Sequence, residues 1–551
     1  MTRKKEYEDE EKESSSAAQK RSRVINSIER KHKFLTLKDS EELLYFSPSD
    51  GQWHYGDVYL KQFVDKGTTI TGFEKGAATS SFEFTTSMFR EIKEIIKIHS
   101  YADPSEFISP PEWINLRNGA LNVLTSEFIQ RDPEPDCKKE ELEIEKLKQE
   151  MQKKIREVKE TPGTVEADSI KDGIRNDYSI TIRGKRDLIK KKEDEWRNSQ
   201  TDKFAGFCFT STIPVKYDPS ATCPRIEAFF KSMELGDDVI QGILELFGYC
   251  LLKSYPIKKM FLFVGPHDTA KSTAASLLEA LLGVENYSSL SLDALQQDHF
   301  EKKKLYKMHA NISGELANRF IKDTSLLKEL LGWDSVTARL MFSQKKFSFW
   351  NYAKLIFLAN QIPATYETDN DFFPKVLIFE FTKQFKEGEE ATRRKDELMA
   401  ELTTEEEMSG LLNKALRSLQ ELLKRGKFKT SKSEQENKEL YLIKANPLKY
   451  YIENSLTIAN EIGEVNDPDG NKIKITKQDV YGNFLGFCKH YRLPALSQTA
   501  FFKNLNDYLL KRGIPINRRD TTGKGYYPWL ELAVLYTDTK NSDSNSYDDL
   551  L

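Results

Sequence analysis

The sequence has few cysteines, no long apolar run and almost no net charge. Its five cysteines are scattered along 551 residues, and no two of them form a C-x-x-C pair. This spacing predicts neither a disulfide framework nor a zinc site built on paired thiolates. No apolar run approaches the roughly 20 residues that a membrane-spanning helix requires. We therefore expect no contact with a membrane.

The amino-terminal residues also lack the apolar stretch of a secretory signal. Residues 1–22 are mixed in charge and contain serine, which predicts a disordered tail. Together these features lead us to expect an intracellular, cytoplasmic protein. The formal net charge of −3 gives no overall basic field, so a nucleic-acid site would have to be a local basic surface.

The length and composition predict several packed domains with solvated arms. The chain has 551 residues, of which 38% are hydrophobic and 31% are charged, a mix that indicates packed domains plus solvated arms. Strand and helix signals that alternate along the chain predict a multidomain α/β protein. The predicted segments are a disordered charged tail (1–22), a small α/β accessory domain (23–136), a charged helical insertion (137–202), a helical lead-in (203–258), a region of alternating strands and helices closed by helices (259–432), a last domain (433–537) and an acidic tail (538–551).

The charged insertion carries one narrow apolar stripe. Ile144, Leu147, Met151, Ile155 and Val158 recur every three or four residues, which is the spacing of one helix face. The stripe is compatible with a coiled-coil seam, with a helix lying on a partner, and with a solvated helical insertion.

The stretch KMFLFVGPHDTAKSTAASLLEALLG, residues 259–283, has the pattern of a phosphate-binding loop. A buried strand, a loop and a helix opening on Lys-Ser form the context in which backbone N–H groups hold phosphates. In this pattern the lysine reaches the β- and γ-phosphates of ATP, and the serine hydroxyl ligates Mg²⁺. The predicted loop comprises Gly265, Pro266, His267, Asp268, Thr269, Ala270, Lys271, Ser272 and Thr273.

Alanine at position 270 departs from the pattern G-x-x-x-x-G-K-[ST]. If this position needs a left-handed backbone, the Cβ of alanine costs about 1–2 kcal/mol. If the backbone is right-handed, the cost is near zero. The backbone N–H of residue 270 is present as a donor in both cases, so we expect the loop to bind phosphate. The variant TAKS is similar to the loop of the minichromosome maintenance helicases, which are working ATPases.

Two polar residues end later apolar strands. Glu315 closes the stretch YKMHANISGE, where an acid polarises the attacking water or completes the coordination of Mg²⁺. Asn360 closes KLIFLAN, where an amide beside the phosphate loop orients the lytic water as a sensor. Between them, a β-hairpin is predicted around Lys345 and Lys346; this lysine pair is either a nucleic-acid contact or an exposed turn.

The order of these motifs resembles the superfamily 3 helicases, in particular the poxvirus-type and phage or plasmid primase-helicase branch. The resemblance covers residues 34–136 and 203–535, without a primase domain. It implies an AAA+ type P-loop ATPase core with a helical lid, a homo-hexameric ring, and the cofactors ATP and Mg²⁺. It also implies that Lys271 and Ser272 bind phosphate and Mg²⁺, that Glu315 is the Walker B acid and second metal ligand, and that Asn360 is the sensor.

Lys375 is the second departure from the family pattern. The family usually has a pair of arginines before the next apolar strand, and this chain has Pro374-Lys375. Lysine keeps the charge of an arginine finger but loses its planar fork. Lys375 is therefore a candidate for a weaker finger acting across a subunit boundary, and Arg319 and Arg339 are the alternatives.

The pattern of the last domain is helix, turn, helix and β-hairpin, which predicts a winged helix. Ser497 is the expected N-cap of the second helix, whose buried face carries Phe501, Leu505 and Leu509. The hairpin wing would present basic residues to DNA phosphates; the alternative is a winged helix that docks on protein. The wing residues are Arg518, Arg519 and Lys524.

The expected function is an ATP-dependent DNA helicase in the replication of a virus, plasmid or integrated element. Its expected partners are single-stranded DNA, a forked duplex, further copies of itself and a separate primase or other replication proteins. The alternative is an ATP-dependent DNA-binding switch or loading factor that does not unwind processively.

Overall fold

The structure of the protein is a computed structural model. It describes residues 22, 25–26, 28–38, 41–65, 86–158, 165–297, 301–315, 325–332, 335–339, 346–360, 362, 372–386, 395–430, 432–458, 475–491, 493–513, 518–519, 525–527 and 530–532. Several sheets, one of them fully parallel, alternate with helices along the chain. The predicted multidomain α/β organisation is confirmed.

The amino-terminal region contains two small sheets. Its strands and helices are β1 (Phe34–Leu37), β2 (Leu43–Ser47), β3 (Gln52–Tyr55), α1 (Gly56–Asp65), α2 (Thr86–His99), β4 (Tyr101–Ala102), β5 (Trp113–Leu116), β6 (Gly119–Asn122) and β7 (Phe128–Gln130). The sheets have the orders β3-β2-β1-β4 and β5-β6-β7. Strands β2 and β3 pair antiparallel on either side of a turn that contains Asp50.

The charged insertion is an antiparallel pair of long helices, α3 (Lys138–Glu157) and α4 (Val165–Phe204). Lys192 pairs with Glu140 at 2.6 Å, and Lys185 pairs with Glu143 at 2.5 Å. Ile144 is buried in this pair. The apolar stripe of α3 therefore lies on another helix of the same chain.

The centre of the chain forms a five-stranded parallel sheet flanked by helices. The elements are α5 (Pro224–Ser232), α6 (Asp237–Leu251), β8 (Met260–Val264), α7 (Lys271–Leu282), β9 (Tyr287–Ser288), α8 (Leu292–Gln297), β10 (Ala310–Glu315), α9 (Ser325–Gly332), β11 (Ser335–Arg339), β12 (Lys346–Trp350), β13 (Lys354–Ala359), β14 (Val376–Glu380), α10 (Lys395–Leu402) and α11 (Glu405–Arg425). The strand order of the parallel sheet is β14-β8-β13-β10-β9. The central strands β8 and β13 are buried along their whole length, as is typical of parallel sheets covered on both faces.

Helices α6 and α11 pack closely beside this sheet. A Cβ on Gly248 of α6 would lie 2.1 Å from the carbonyl oxygen of Ala415 in α11, so only glycine allows this approach. Glu245 of α6 is fully buried, and it accepts from Arg425 at 2.6 Å and from the backbone N–H of Lys429 at 2.8 Å. This pairing offsets the cost of burying the carboxylate.

A buried lysine joins α6 to the sheet. Lys354 starts β13 and is fully buried; its ammonium donates to the carbonyls of Leu252 and, at 3.0 Å, Ser254. It also lies 4.6 Å from the centroid of the Tyr249 ring. These contacts satisfy carbonyls at the end of α6. Burial lowers the pKa of Lys354 to about 7.

The carboxy-terminal region combines helices with short strands. They are α12 (Glu434–Ala445), α13 (Pro447–Ser455), β15 (Leu456–Ile458), β16 (Ile475–Thr476), α14 (Lys477–His490), α15 (Gln498–Lys511), β17 (Arg518–Arg519), β18 (Gly525–Tyr527) and β19 (Leu530–Leu532). Ser497 caps α15 by accepting from the N–H of Ala500, and Phe501, Leu505 and Leu509 are fully buried. Both sequence predictions for this helix are confirmed.

None of the helices within the described ranges is both long enough and apolar enough to cross a membrane.

Candidate functional site

The predicted phosphate loop connects the carboxyl end of β8 to the first residue of α7. The N–H of Gly265 donates to the carbonyl of Ala359 at 3.2 Å, which continues the pairing of β8 with β13. A Cβ at Gly265 would lie 2.1 Å from the carbonyl oxygen of Phe381. Glycine is therefore required here because another backbone segment passes directly behind the loop.

The loop backbone contains two residues in the left-handed region. Asp268 has φ 59° and Ala270 has φ 61° with ψ 13°. Left-handed residues next to right-handed ones turn successive N–H groups toward one concavity, which is an anion-binding shape. Of the two cases open for Ala270, the structure has the left-handed one, in which Cβ costs about 1–2 kcal/mol.

The first turn of α7 opens on this concavity. No side chain caps the helix, and the N-cap position is Ala270 itself. The N–H groups of a first helical turn have no partner inside the helix, so the turn supplies donors to a bound anion. Ser272 is exposed at the second position of the helix, where its hydroxyl is accessible to a metal ion.

Lys271 is buried and its ammonium lies inside the loop. It donates to the carbonyls of Gly265 at 2.7 Å and Pro266 at 2.5 Å, and to Oγ1 of Thr269 at 3.1 Å. These acceptors hold a positive charge at the centre of the loop. The buried charge, the turned N–H groups and the uncapped helix fit the phosphates of a nucleotide.

The strands that lead to Glu315 and Asn360 end at the same edge of the sheet as the loop. The order β8-β13-β10 places the strand of Asn360 between the loop strand and the strand of Glu315. In the register, Glu315 is level with Leu358, which is level with Phe263. Pairing shifts between Ser313 and Glu315, so a bulge brings the backbone of Glu315 to this row. Carboxyl ends of parallel strands are where ligands bind in open α/β sheets.

Asn360 contacts the phosphate loop directly. Its Nδ2 donates to Nε2 of His267 at 3.3 Å. Behind the loop, Nε2 of Gln384 donates to the carbonyl of His267 at 3.4 Å, and the N–H of Phe385 donates to the carbonyl of Asp268 at 2.9 Å. The sequence patterns did not indicate the contact of His267 or the segment of Gln384 and Phe385. The histidine inside the predicted loop, His267, was the sequence feature that could have pointed to this contact.

Lys375 does not lie at this edge. It ends a short 3₁₀ turn immediately before β14, and the first residue of that strand, Val376, pairs with Met260 at the start of β8. Because β14 has five residues, Lys375 is separated along the sheet from the loop edge by about 16 Å. The structure therefore places Lys375 at the opposite edge from the loop of its own chain.

Some of the other predicted basic residues lie on antiparallel strand pairs. Strands β11 and β12 pair antiparallel with Arg339 opposite Lys346, so a hairpin is present, and Lys345 lies outside the described residues. Strand β17, which consists of Arg518 and Arg519, pairs antiparallel with β18. Lys524, Arg319 and the tails 1–21 and 538–551 also lie outside the described residues.

The model of a family of unknown function, DUF5906, matches residues 263–371. This segment contains the phosphate loop, Glu315 and Asn360, and it ends before Lys375. No curated protein matches the chain.

Three solved structures of the NrS-1 C-terminal region align with the chain. Its apo A form aligns at 16% identity over 58% of this chain and 79% of that one, with a TM-score of 0.31. A second A-form structure has 14% identity over 57% and 78%, with a TM-score of 0.30. A third apo structure has 13% identity over 58% and 85%, with a TM-score of 0.28. The correspondence between the backbones is loose.

Proposed function

We propose that this protein is an ATP-dependent DNA helicase that acts in the replication of a virus, plasmid or integrated element. The observation that carries the proposal is the meeting of three elements at one sheet edge. The phosphate loop, the end of the Glu315 strand and Asn360 converge there, and Asn360 contacts the loop at 3.3 Å.

The loop residues account for binding of ATP and Mg²⁺. The ammonium of Lys271 exchanges its carbonyl acceptors for the β- and γ-phosphates, and the first-turn N–H groups of α7 hold the remaining phosphate oxygens. Ser272 and Glu315 would hold Mg²⁺, which when bound would neutralise negative charge on the phosphates.

Glu315 and Asn360 account for activation of water. A carboxylate at this edge accepts a proton from the attacking water or polarises it, and the amide of Asn360 orients that water toward the γ-phosphate. The amide nitrogen carries two N–H groups, so Asn360 can donate to the water while it keeps its hydrogen bond to His267. The proposed catalytic set in this chain is therefore Lys271, Ser272, Glu315 and Asn360.

A ring of identical subunits accounts for the position of Lys375. Its own loop is at the opposite sheet edge, so an ammonium at this position can only reach a nucleotide bound to a neighbouring copy. A homo-hexamer with an AAA+ type core supplies such a neighbour. In that arrangement Lys375 stabilises charge on the γ-phosphate in place of an arginine finger.

Two basic hairpins account for contact with DNA. Lys346 begins β12, which pairs with β11, and Lys345 directly precedes it in the sequence; in the proposed ring both lysines would contact a single strand at the centre. Arg518 and Arg519 form β17, and together with Lys524 they would act as the wing of a winged helix on a forked duplex. Both contacts are to phosphates and so carry a salt-dependent affinity.

One observation favours a second candidate, an ATP-dependent DNA-binding switch or loading factor. Lysine lacks the planar fork with which arginine pairs two phosphate oxygens at once. A finger made by Lys375 would hydrolyse slowly, and slow hydrolysis suits a switch better than processive unwinding.

Displacement of a labelled strand from a forked duplex separates the two functions. A helicase displaces the strand in the presence of ATP and Mg²⁺, and Lys271→Ala does not. A switch or loader hydrolyses ATP and binds the fork, yet leaves the strand in place. Lys258→Ala, at an exposed lysine before β8, is the matched control for loss of one positive charge.

A further inference from the structure

Three lysines converge at the junction of the amino-terminal region and the central sheet. We call Lys33, Lys253 and Lys307 the junction lysines. All three are close enough to the buried thiol of Cys208 to favour its ionised form, although burial dominates and raises its pKa. They come from three separate parts of the chain, so the fold alone brings these like charges together.

Lys253 is held by the loop that precedes β5. Its backbone N–H donates to the carbonyl of Pro111 at 3.0 Å, and its ammonium donates to the hydroxyl of Ser109. The same ammonium lies 5.3 Å from the centroid of the Phe209 ring. These neighbours fix the position of the ammonium, and none of them carries a negative charge.

Lys307 is placed between two aromatic rings. Its ammonium lies 5.7 Å from the centroid of Phe107 and 5.1 Å from that of Tyr306. Its backbone has φ 63°, a left-handed conformation that residues with a Cβ disfavour. Strained backbone of this kind persists where the surrounding structure imposes it, and it is concentrated at functional sites.

Negative charge does not balance the junction lysines. Among the described residues, none of the three has a carboxylate within ion-pair distance. Glu42 acts on Lys307 and Glu112 acts on Lys253 only at longer range. Burial lowers the pKa of Lys253 to about 7 and that of Lys307 below its usual range. An anion bound here would therefore compensate two partly desolvated ammonium groups.

The charged groups behind the junction lysines are also basic or neutral. His309 is buried, and its Nδ1 lies 2.8 Å from the carbonyl oxygen of Cys250. Burial, followed by the charge of Lys253 and then that of Lys354, lowers the pKa of His309 to about 3, so its ring is neutral. Within the described ranges, the interior side of the site therefore supplies no counter-charge.

We infer that the junction lysines form a second phosphate-binding site, separate from the phosphate loop, for a nucleotide unit that is either free or part of a single strand. Lys253 and Lys307 bind the phosphate, and Tyr306, which is 39% exposed, offers a ring for a base to stack on. The lysines alone support the binding of a phosphate group. The further step, that this phosphate belongs to a nucleotide or a nucleic acid, rests on the proposed function.

The site is remote from the phosphate loop. Lys307 precedes β10, whose carboxyl end carries Glu315. Six residues of strand separate the two edges of the sheet by about 20 Å. One phosphate group cannot contact both sites, so binding at the junction lysines is measurable without occupying the loop.

Binding of a fluorescent dT20 oligonucleotide to the full-length protein, without ATP, tests the proposal. Lys307→Asn removes the charge and keeps a residue that tolerates the left-handed conformation, and Lys253→Gln removes the second charge. Each substitution is expected to reduce the slope of log K against log salt by about 0.7. The control is Lys303→Gln, at an exposed lysine of the neighbouring 3₁₀ turn. Slopes and affinities for dT20 equal to those of the parent in both variants, together with thermal stabilisation by ATP that Lys307→Asn leaves unchanged, would overturn the proposal.

A second experiment distinguishes a free nucleotide from a single strand as the source of the bound phosphate. In Lys271→Ala protein, thermal stabilisation by ATP that disappears when Lys307→Asn is added identifies a free nucleotide as the ligand. A salt slope that changes for dT20, with no such stabilisation, identifies a strand. Lys307→Gly, which also relieves the backbone, gives a second folded variant if the asparagine protein melts early. Failure of the parent to hydrolyse ATP would refute the proposed function and leave these binding results intact.

Discussion

The side chains of Asn360 and His267 join the tip of β13 to the phosphate loop through a hydrogen bond of 3.3 Å. Asn360 donates and His267 accepts, so the amide is aimed at the loop. The amide nitrogen of Asn360 carries a second N–H group, and in the proposed function this group orients the attacking water. The hydrogen bond to His267 therefore holds the amide where the proposed function needs it.

Asn360→Ala is expected to lower kcat for ATP hydrolysis by about 10²–10³-fold, the usual loss when one stabilising donor is removed. ATP affinity should change little, because the loop and Lys271 hold the phosphates. Steady-state hydrolysis and equilibrium binding of a fluorescent ATP analogue measure the two quantities. Asn454→Ala, at an exposed asparagine that donates within its own helix, is the control. A kcat within about twofold of the parent, far short of that loss, would remove Asn360 from the catalytic set.

Ala270→Gly is expected to raise the free energy of unfolding by up to about 1 kcal/mol, since glycine relieves the left-handed strain but loses more entropy on folding. The melting temperature of the nucleotide-free protein measures the change. Ala280→Gly, in the body of α7 where the backbone is helical, should instead destabilise by about 1 kcal/mol. Destabilisation by both substitutions would show that position 270 carries no strain.

The sequence was sufficient to predict the loop, its flanking strand and helix, and the apolar face of α15. These features depend on local periodicity and on short-range spacing. The conformation of Ala270 remained open because a Cβ is compatible with two backbone regions. The support behind the loop from Gln384 and Phe385 could not be predicted, since that segment is distant in sequence from His267 and its contact depends on the strand order.

The role of Lys354 could not be predicted from the sequence either. A lysine at the start of an apolar strand predicts an exposed end, whereas the fold buries this ammonium against the carbonyls that end α6. Similarly, Lys375 is near Asn360 in the order of motifs but lies at the other edge of the sheet. Position along the chain does not reveal which edge a residue reaches until the strand order is known.

Lys375→Ala is expected to lower ATP turnover only in assembled protein, and Lys375→Arg should maintain or raise it. The direct measurement mixes loop-defective Lys271→Ala subunits with Lys375→Ala subunits. Each variant alone lacks one half of every site, while mixed rings contain intact loops facing intact fingers, so activity should recover. No recovery from mixtures that form rings would place the finger on another residue.

The buried amine of Lys354 predicts a stability that rises with pH. Its pKa is about 7 in the folded protein and about 10.4 in an unfolded chain. Between these values the unfolded state binds more protons, so the free energy of unfolding increases with pH by up to about 1.4 kcal/mol per pH unit. Below pH 7 both states are protonated and this contribution is constant.

Comparison with Lys354→Met isolates that contribution. Melting temperatures of the parent and the variant are measured at intervals from about pH 7 to about pH 10, the span between the folded and unfolded pKa values. The difference between them should grow in favour of the parent as pH rises, because the variant has no proton to lose. Parallel curves would show that the ammonium keeps its ordinary pKa in the folded protein.

The central claim is that this loop hydrolyses ATP in response to single-stranded DNA. The most direct measurement is the rate of ATP hydrolysis with and without single-stranded DNA, for the parent and for Lys271→Ala. We expect stimulated hydrolysis by the parent and none by the variant, with unchanged melting of the variant. Equal rates for the two proteins, or no hydrolysis by the parent under any condition, would contradict the account.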